Sequence, residues 1–199
     1  MNKKKIYRNL FKVLIFLLIL CIIAIAIVLY VPTAVTKNID TYVYELPFTK
    51  GSSHKVVQGY GGLFSHKNTA AIDFEMSVGT PIMAARDGVV YAYKDHNDEG
   101  GPFAKYKRKA NFIMIQHSDG SIGCYWHLQK GGVLVKTGKV KKGQQIGLSG
   151  ATGFVFRPHL HFSVKRQLNY SMDAFVQTKF NTNEGAVILK NRNSYKRPD

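Results

Sequence analysis

Residues 111–128 read NFIMIQHSDGSIGCYWHL. Two short runs rich in β-branched and aromatic residues flank an Asp119-Gly120 pair, the pattern of two strands joined by a tight turn. Working outward, TPIMAARDGVVYAYKD (80–95) repeats the device around Asp87-Gly88, so a second hairpin is expected there. On the C-terminal side, GVLVKTGKVKKGQQIGLSGATG (132–153) is glycine-rich, with short β-type pieces between turns. No long stretch after residue 31 carries a helical period. Many short strands at close spacing predict an all-β fold, read as a compact antiparallel sandwich. The polar, basic stretch HNDEGGPFAKYKRKA (96–110) is expected to be a loop rimming any groove the sheet makes.

The N-terminus is built differently. Residues 1–12 carry Lys3, Lys4, Lys5, Arg8 and Lys12 with no acid, and residues 13–31 are 19 positions without a charge. As a helix, 19 residues span roughly 28 Å, close to the hydrocarbon thickness of a bilayer. The run is longer than a typical signal-peptide core, and Ala24-Ile25-Ala26 lies inside it rather than after it. Residues 1–12 are therefore read as a cytoplasmic basic flank and 13–31 as a single-pass signal anchor, N-terminus inside. The remainder is then periplasmic or extracellular. Residues 32–52 are expected to be a juxtamembrane connector, 53–189 the folded domain and 190–199 a mobile basic tail.

Residues 38–199 hold 22 Lys/Arg against 12 acids, or +10. A domain exported across a membrane does not normally meet nucleic acid, so no nucleic-acid partner is expected. The anions it meets are cell-wall polymers and lipid headgroups. Cys21 and Cys124 lie on opposite sides of the anchor boundary and cannot bridge; Cys124 reads as a buried small hydrophobe.

Seven histidines remain to be placed. His54, His96 and His117 stand in polar or turn surroundings and are expected at the surface. His66 follows a glycine-bearing loop, GYGGLFS (59–65), and Asp73 sits between Ile72 and Phe74. His159 and His161, in FRPHLHFSV (156–164), share one face of a strand while Leu160 and Phe162 share the other. Alternation along IGCYWHL (122–128) puts Tyr125 and His127 on a common face. Each has a bland explanation as a surface or capping residue. Together, four histidines and one aspartate on apolar strands or beside glycine are the supply that a tetrahedral zinc site with an open position needs. HExxH is absent, so such a site would be assembled on strands.

The order Gly61-x-x-x-x-His66, Asp73, GTP (79–81), DGVV (87–90), YWHL (125–128), PHLHF (158–162) resembles the lysostaphin-type (LytM-like) zinc metallopeptidases. These bacterial enzymes cut peptide cross-links in peptidoglycan, and the resemblance covers residues 56–166. It implies a β-sandwich with the site in a groove and one Zn2+ per domain, held by His66, Asp73 and His161. His127 and His159 are implied as the catalytic pair that moves protons and stabilises the oxyanion around an activated water. Tyr125 and Arg157 are candidate substrate contacts, Tyr125 through its face and Arg157 through the carboxylate of a stem peptide. Two departures stand out. His66 and Asp73 are seven residues apart where many members have four, which reads as a longer hairpin turn. Phe156 and Arg157 replace small residues before the proline.

The resemblance thus implies a membrane-anchored endopeptidase that remodels the cell wall. The alternative is a non-catalytic wall-binding regulator of other hydrolases.

Overall fold

The computed structural model describes residues 3–30, 39–62, 65, 66, 69–166 and 174–199. By its internal contacts the chain divides into two units, Met1–Pro32 and Thr33–Asp199. The first is one helix, α1 (Lys3–Tyr30), so the basic residues 3–12 are helical too. Its stretch Ile6–Ala26 is exposed throughout, and residues 13–26 of it are apolar all round. An amphipathic packing helix would instead show an apolar stripe on one side. By length and composition α1 can cross a membrane, and a signal sequence has the same features. Val31 of the expected span and residues 32–38 of the expected connector lie outside the described residues.

The second unit is mostly β among the described residues. Its strands are β1 (Ile39–Glu45), β2 (Ser53–Gln58), β3 (Ala71–Glu75), β4 (Pro81–Met83), β5 (Gly88–Lys94), β6 (Gly100–Gly101), β7 (Asn111–Gln116) and β8 (Ile122–Val133). They continue as β9 (Lys139–Val140), β10 (Gln145–Ser149), β11 (Gly153–Phe154), β12 (His159–Lys165), β13 (Phe175–Thr182), β14 (Gly185–Val187) and β15 (Ser194–Lys196). The main path runs β15-β2-β3-β12-β8-β7-β5-β9, with β13 joining at β12 and β10 at β8. Pairing is antiparallel except for β1 with β13 and β6 with β11.

Period-2 alternation divides the central strands into two faces. Ile72, Phe74, Leu160, Phe162, Ile113 and Ile115 point into one core with Tyr44, Leu46 and Phe48. Phe162 contacts Tyr125 and Phe180 edge-on, with ring centroids 5.1 and 5.7 Å apart. Each fully buried side chain of this size contributes roughly 1.5–3 kcal/mol. Across the other face, Asp73, His161, Trp126 and Phe112 stand in one cross-strand row, paired neighbour to neighbour.

The hairpin at Asp119-Gly120 forms as expected between β7 and β8, with Gly120 at φ +82°. Four expectations are corrected. Residues 39–48 are not a connector: β1 pairs with β13, and Tyr44, Leu46 and Phe48 are fully buried. There is no hairpin at Asp87-Gly88, because β4 pairs with β10 whereas β5 pairs with β7 and β9. Gly88 is there for close approach: a Cβ on it would lie 2.4 Å from the Gln116 carbonyl oxygen. The segment 190–199 is not a mobile tail, since β15 pairs with β2, Tyr195 is buried and Arg197 donates to the Phe48 carbonyl at 2.6 Å. Finally, His117 is buried rather than exposed, and its Nδ1–H donates to the Asp87 carbonyl at 2.8 Å. Cys124 is buried as expected, and burial pushes its thiol up to about 12.

Burial, reinforced by the Arg86 cation, lowers the pKa of His117, and its Nε2 has no acceptor if protonated. Below about pH 6.5 the unfolded chain takes up a proton that the folded chain resists, so folding stability falls as pH falls. His117→Asn, whose amide can keep the bond to Asp87, is expected to lose less Tm than the parent between about pH 7 and pH 5. Thermal melts across that range check it; identical slopes would remove His117 from the account.

Candidate metal centre and groove

The β3–β12 register sets Asp73 opposite His161 and Glu75 opposite His159. Because Ile72, Phe74, Leu160 and Phe162 are committed to the core, Asp73, His159 and His161 must face the other way. His66 comes from the connection between the antiparallel β2 and β3, and it is fully buried. Its Nδ1–H donates to the Gly59 carbonyl at 3.1 Å, which leaves the Nε2 lone pair directed inward.

Three donor atoms converge there. His66 Nε2 lies 3.2 Å from His161 Nδ1 and 3.3 Å from Asp73 Oδ1, and the remaining edge is 2.9 Å. Tetrahedral bonds of about 2.0–2.1 Å place ligand atoms about 3.3 Å apart, so this triangle suits a small divalent ion. Two imidazoles and one carboxylate also match the ligand chemistry of zinc. Burial alone would raise the Asp73 carboxyl, but the adjoining His161 and His66 rings hold it far below the usual carboxylate range. Burial lowers His161 toward its neutral form, against the pull of Asp73.

Two further imidazoles adjoin this triangle. The His159 Nε2 is 3.7 Å from Asp73 Oδ1, and the His127 and His159 ring centroids are 4.7 Å apart. Each donates Nδ1–H to a backbone carbonyl, His159 to Arg157 at 2.8 Å and His127 to Thr152 at 2.7 Å. Both tautomers are thereby fixed with Nε2 as the free nitrogen, the usual way a neighbour orients a working histidine. Thr152 is itself held, its hydroxyl donating to the Leu128 carbonyl at 2.7 Å and accepting the Asn111 N–H at 2.9 Å. Burial, then the neighbouring His159 and His161, pushes His127 down to about 3, so it is neutral at physiological pH.

His127 has φ +68°, a left-handed backbone that costs a non-glycine residue about 1–2 kcal/mol. In the β7–β8 ladder Asn111 pairs with Leu128 and Phe112 with Trp126, so His127 is the unpaired residue of a β-bulge. The bulge corrects the expected face of Tyr125. That side chain is fully buried in the core, its hydroxyl accepting the Ala85 N–H at 2.8 Å, and it does not line the groove. Trp126, expected to face away from His127, lines the groove beside it and packs on Phe112 with centroids 4.5 Å apart.

The groove has a volume of about 680 Å³. Val57, Ala110, Trp126, Phe154, Val155 and Phe156 give it apolar walls, with Asp73, His127, His159 and His161 at its polar end. Lys107, from a 3-10 helix at Ala104–Lys109, also lines it, so the 96–110 stretch rims the groove as expected. Arg157 lines it too and pairs with Glu75 at 3.1 Å. The sequence reading missed the Gly59, Thr152 and Arg157 carbonyls that aim the imidazoles; a backbone acceptor leaves no trace in residue type.

Fold and donor set together define a β-sheet protein whose groove carries a zinc-type ligand triad and a paired imidazole site. Residues 67–173 match the model of Peptidase family M23, and the chain belongs to that family. Asp73, His127, His159 and His161 fall inside the matched stretch, and His66 precedes it by one residue. The chain is 44% identical over 93 residues to the peptidoglycan DD-endopeptidase ShyA of Vibrio cholerae, covering 46% of this chain and 19% of ShyA. It is 36% identical over 115 residues to the glycyl-glycine endopeptidase ALE-1 of Staphylococcus capitis, covering 56% of this chain and 29% of ALE-1. The chain thus spans 19–29% of the length of these two relatives. The solved catalytic domain of lysostaphin from Staphylococcus simulans aligns at 29% identity and TM-score 0.44, over 62% of this chain and 86% of that domain.

Zn2+ added to metal-free protein is expected to raise Tm and to bind one ion per chain, by melting and native mass spectrometry. Asp73→Asn or His161→Ala is expected to cost more than about 100-fold in zinc affinity, beyond the 10–100-fold typical of groups that only orient a ligand. Unchanged zinc binding in either variant would place the ion elsewhere.

Proposed function

We propose that the chain is a zinc metalloendopeptidase that hydrolyses peptide cross-links of bacterial peptidoglycan, with α1 anchoring it in the cytoplasmic (inner) membrane. The observation that carries the reading is the convergence of His66, Asp73 and His161 beside two imidazoles whose tautomers are already set. Membership of a peptidase family and the two relatives named as endopeptidases support the same reaction class.

In this reading His66, Asp73 and His161 hold the zinc. When bound, zinc supplies a Lewis acid that polarises a peptide carbonyl and acidifies water for attack at neutral pH. The protein's own groups do the rest. The Nε2 atoms of His127 and His159 accept a proton from the attacking water, hydrogen-bond the developing oxyanion and return a proton to the leaving amine. His127 enters the reaction neutral, with its Nε2 lone pair unprotonated. The Arg157 and Thr152 carbonyls hold both rings in place, so no reorientation is needed during the reaction. The apolar walls reduce water around the reacting peptide and strengthen these polar contacts.

Full-length protein in detergent, loaded with zinc, is expected to release fragments from purified sacculi whose masses correspond to cut cross-links. His127→Ala and His159→Ala are each expected to lower the rate by about 100-fold or more while zinc stoichiometry stays at one, since removal of a general acid or base costs 10²–10⁴-fold. Release of no fragments by zinc-loaded parent protein, beside an active control, would favour the non-catalytic regulator instead.

A further inference from the structure

Arg157 and Glu75 form an ion pair beside the groove. Arg157 Nη1 donates to Glu75 Oε1 at 3.1 Å, and the two side chains are 56% and 45% exposed. A pair that open to water is worth about 1 kcal/mol or less. A single nitrogen–oxygen contact joins them, whereas a guanidinium fork can grip a carboxylate through two. Of the described residues that line the groove, Lys107 and Arg157 carry positive charge, and the one carboxylate, Asp73, is committed to His66 and His161. Among the described residues the groove is therefore prepared for a negative group, and the ion pair that Arg157 makes, with Glu75 beside it, is a weak one.

Position matters as much as charge. The Arg157 carbonyl accepts the His159 Nδ1–H at 2.8 Å, and Glu75 stands opposite His159 in the β3–β12 pairing. An anion held by the Arg157 side chain thus lies next to the imidazole pair that serves the cleaved bond. A carboxamide is a poor substitute, because its NH2 group presents donors to a guanidinium that has only donors.

Building on the peptidase reading above, we propose that Arg157 sets substrate choice: it selects peptides bearing a free carboxylate beside the cleaved bond. Glu75 holds the guanidinium until the substrate carboxylate displaces it. Glu75 is then an internal competitor, and its removal tightens binding. A purely structural ion pair predicts the opposite sign.

The test uses cross-linked stem-peptide dimers, prepared with their carboxylates free or converted to carboxamides. Binding is titrated calorimetrically on full-length, zinc-loaded His127→Ala protein, and kcat and KM are measured on the otherwise unaltered chain. The free-carboxylate dimer is expected to bind about tenfold more tightly than the amidated one, as for one charge-assisted hydrogen bond. The difference should appear in KM rather than kcat and shrink as salt is raised. Arg157→Gln is expected to abolish the preference and Arg157→Lys to keep part of it. Glu75→Gln is expected to tighten binding of the free-carboxylate dimer about threefold, the gain from losing a weak competitor. Equal affinity for the two dimers, or weaker binding in Glu75→Gln, overturns the proposal. Cleavage of both dimers at equal kcat/KM also overturns it while leaving the peptidase reading intact. A binding preference without any cleavage supports the role of Arg157 and counts against the reaction.

Discussion

The pairing of β3 with β12 is the constraint on which the rest depends. It sets Asp73 beside His161 and at the same time sends Ile72, Phe74, Leu160 and Phe162 into the core. These two outcomes are one fact, because side chains on a strand alternate and a slip of one residue would exchange the faces. Such a slip would turn a carboxylate and two imidazoles into the apolar core and four large apolar groups toward the groove. Core packing therefore holds this polar face in register.

That arrangement has an electrostatic cost which the surroundings divide. Asp73 is buried, and its charge is met by two imidazoles rather than by a lysine or arginine. Three of the four clustered histidines donate Nδ1–H to a backbone carbonyl, at Gly59, Thr152 and Arg157. Each such bond removes a rotational choice and directs a lone pair toward the centre or the groove. Loops between strands supply these carbonyls, so the sheet fixes where the imidazoles begin and the loops fix where they point.

Much of this could be read from residue order. Asp73 between two large apolar residues and the spacing of His159 and His161 gave the ligand face, and Asp119-Gly120 gave the β7–β8 hairpin. The failures have physical causes. Asp87-Gly88 has the letters of a turn, but Gly88 serves close contact with β7, which depends on a partner distant in sequence. Residues 39–48 alternate weakly, and their pairing with β13 across the whole domain is invisible locally. His117 has polar neighbours in sequence, yet the fold covers it. The face of Tyr125 went astray because alternation was carried through His127, and no rule of residue type predicts a left-handed histidine.

The bulge at His127 also sets what stands beside the imidazole. In a regular strand, neighbouring residues answer to different masters, one to the core and one to the exterior. Here Tyr125 faces the core and Trp126 the groove by that rule, and the bulge turns His127 onto the groove as well. A change at 126 therefore alters the groove wall and its contact with Phe112, not the core that Tyr125 fills. The fold thus leaves one adjustable wall, a single peptide unit from the imidazole beside it.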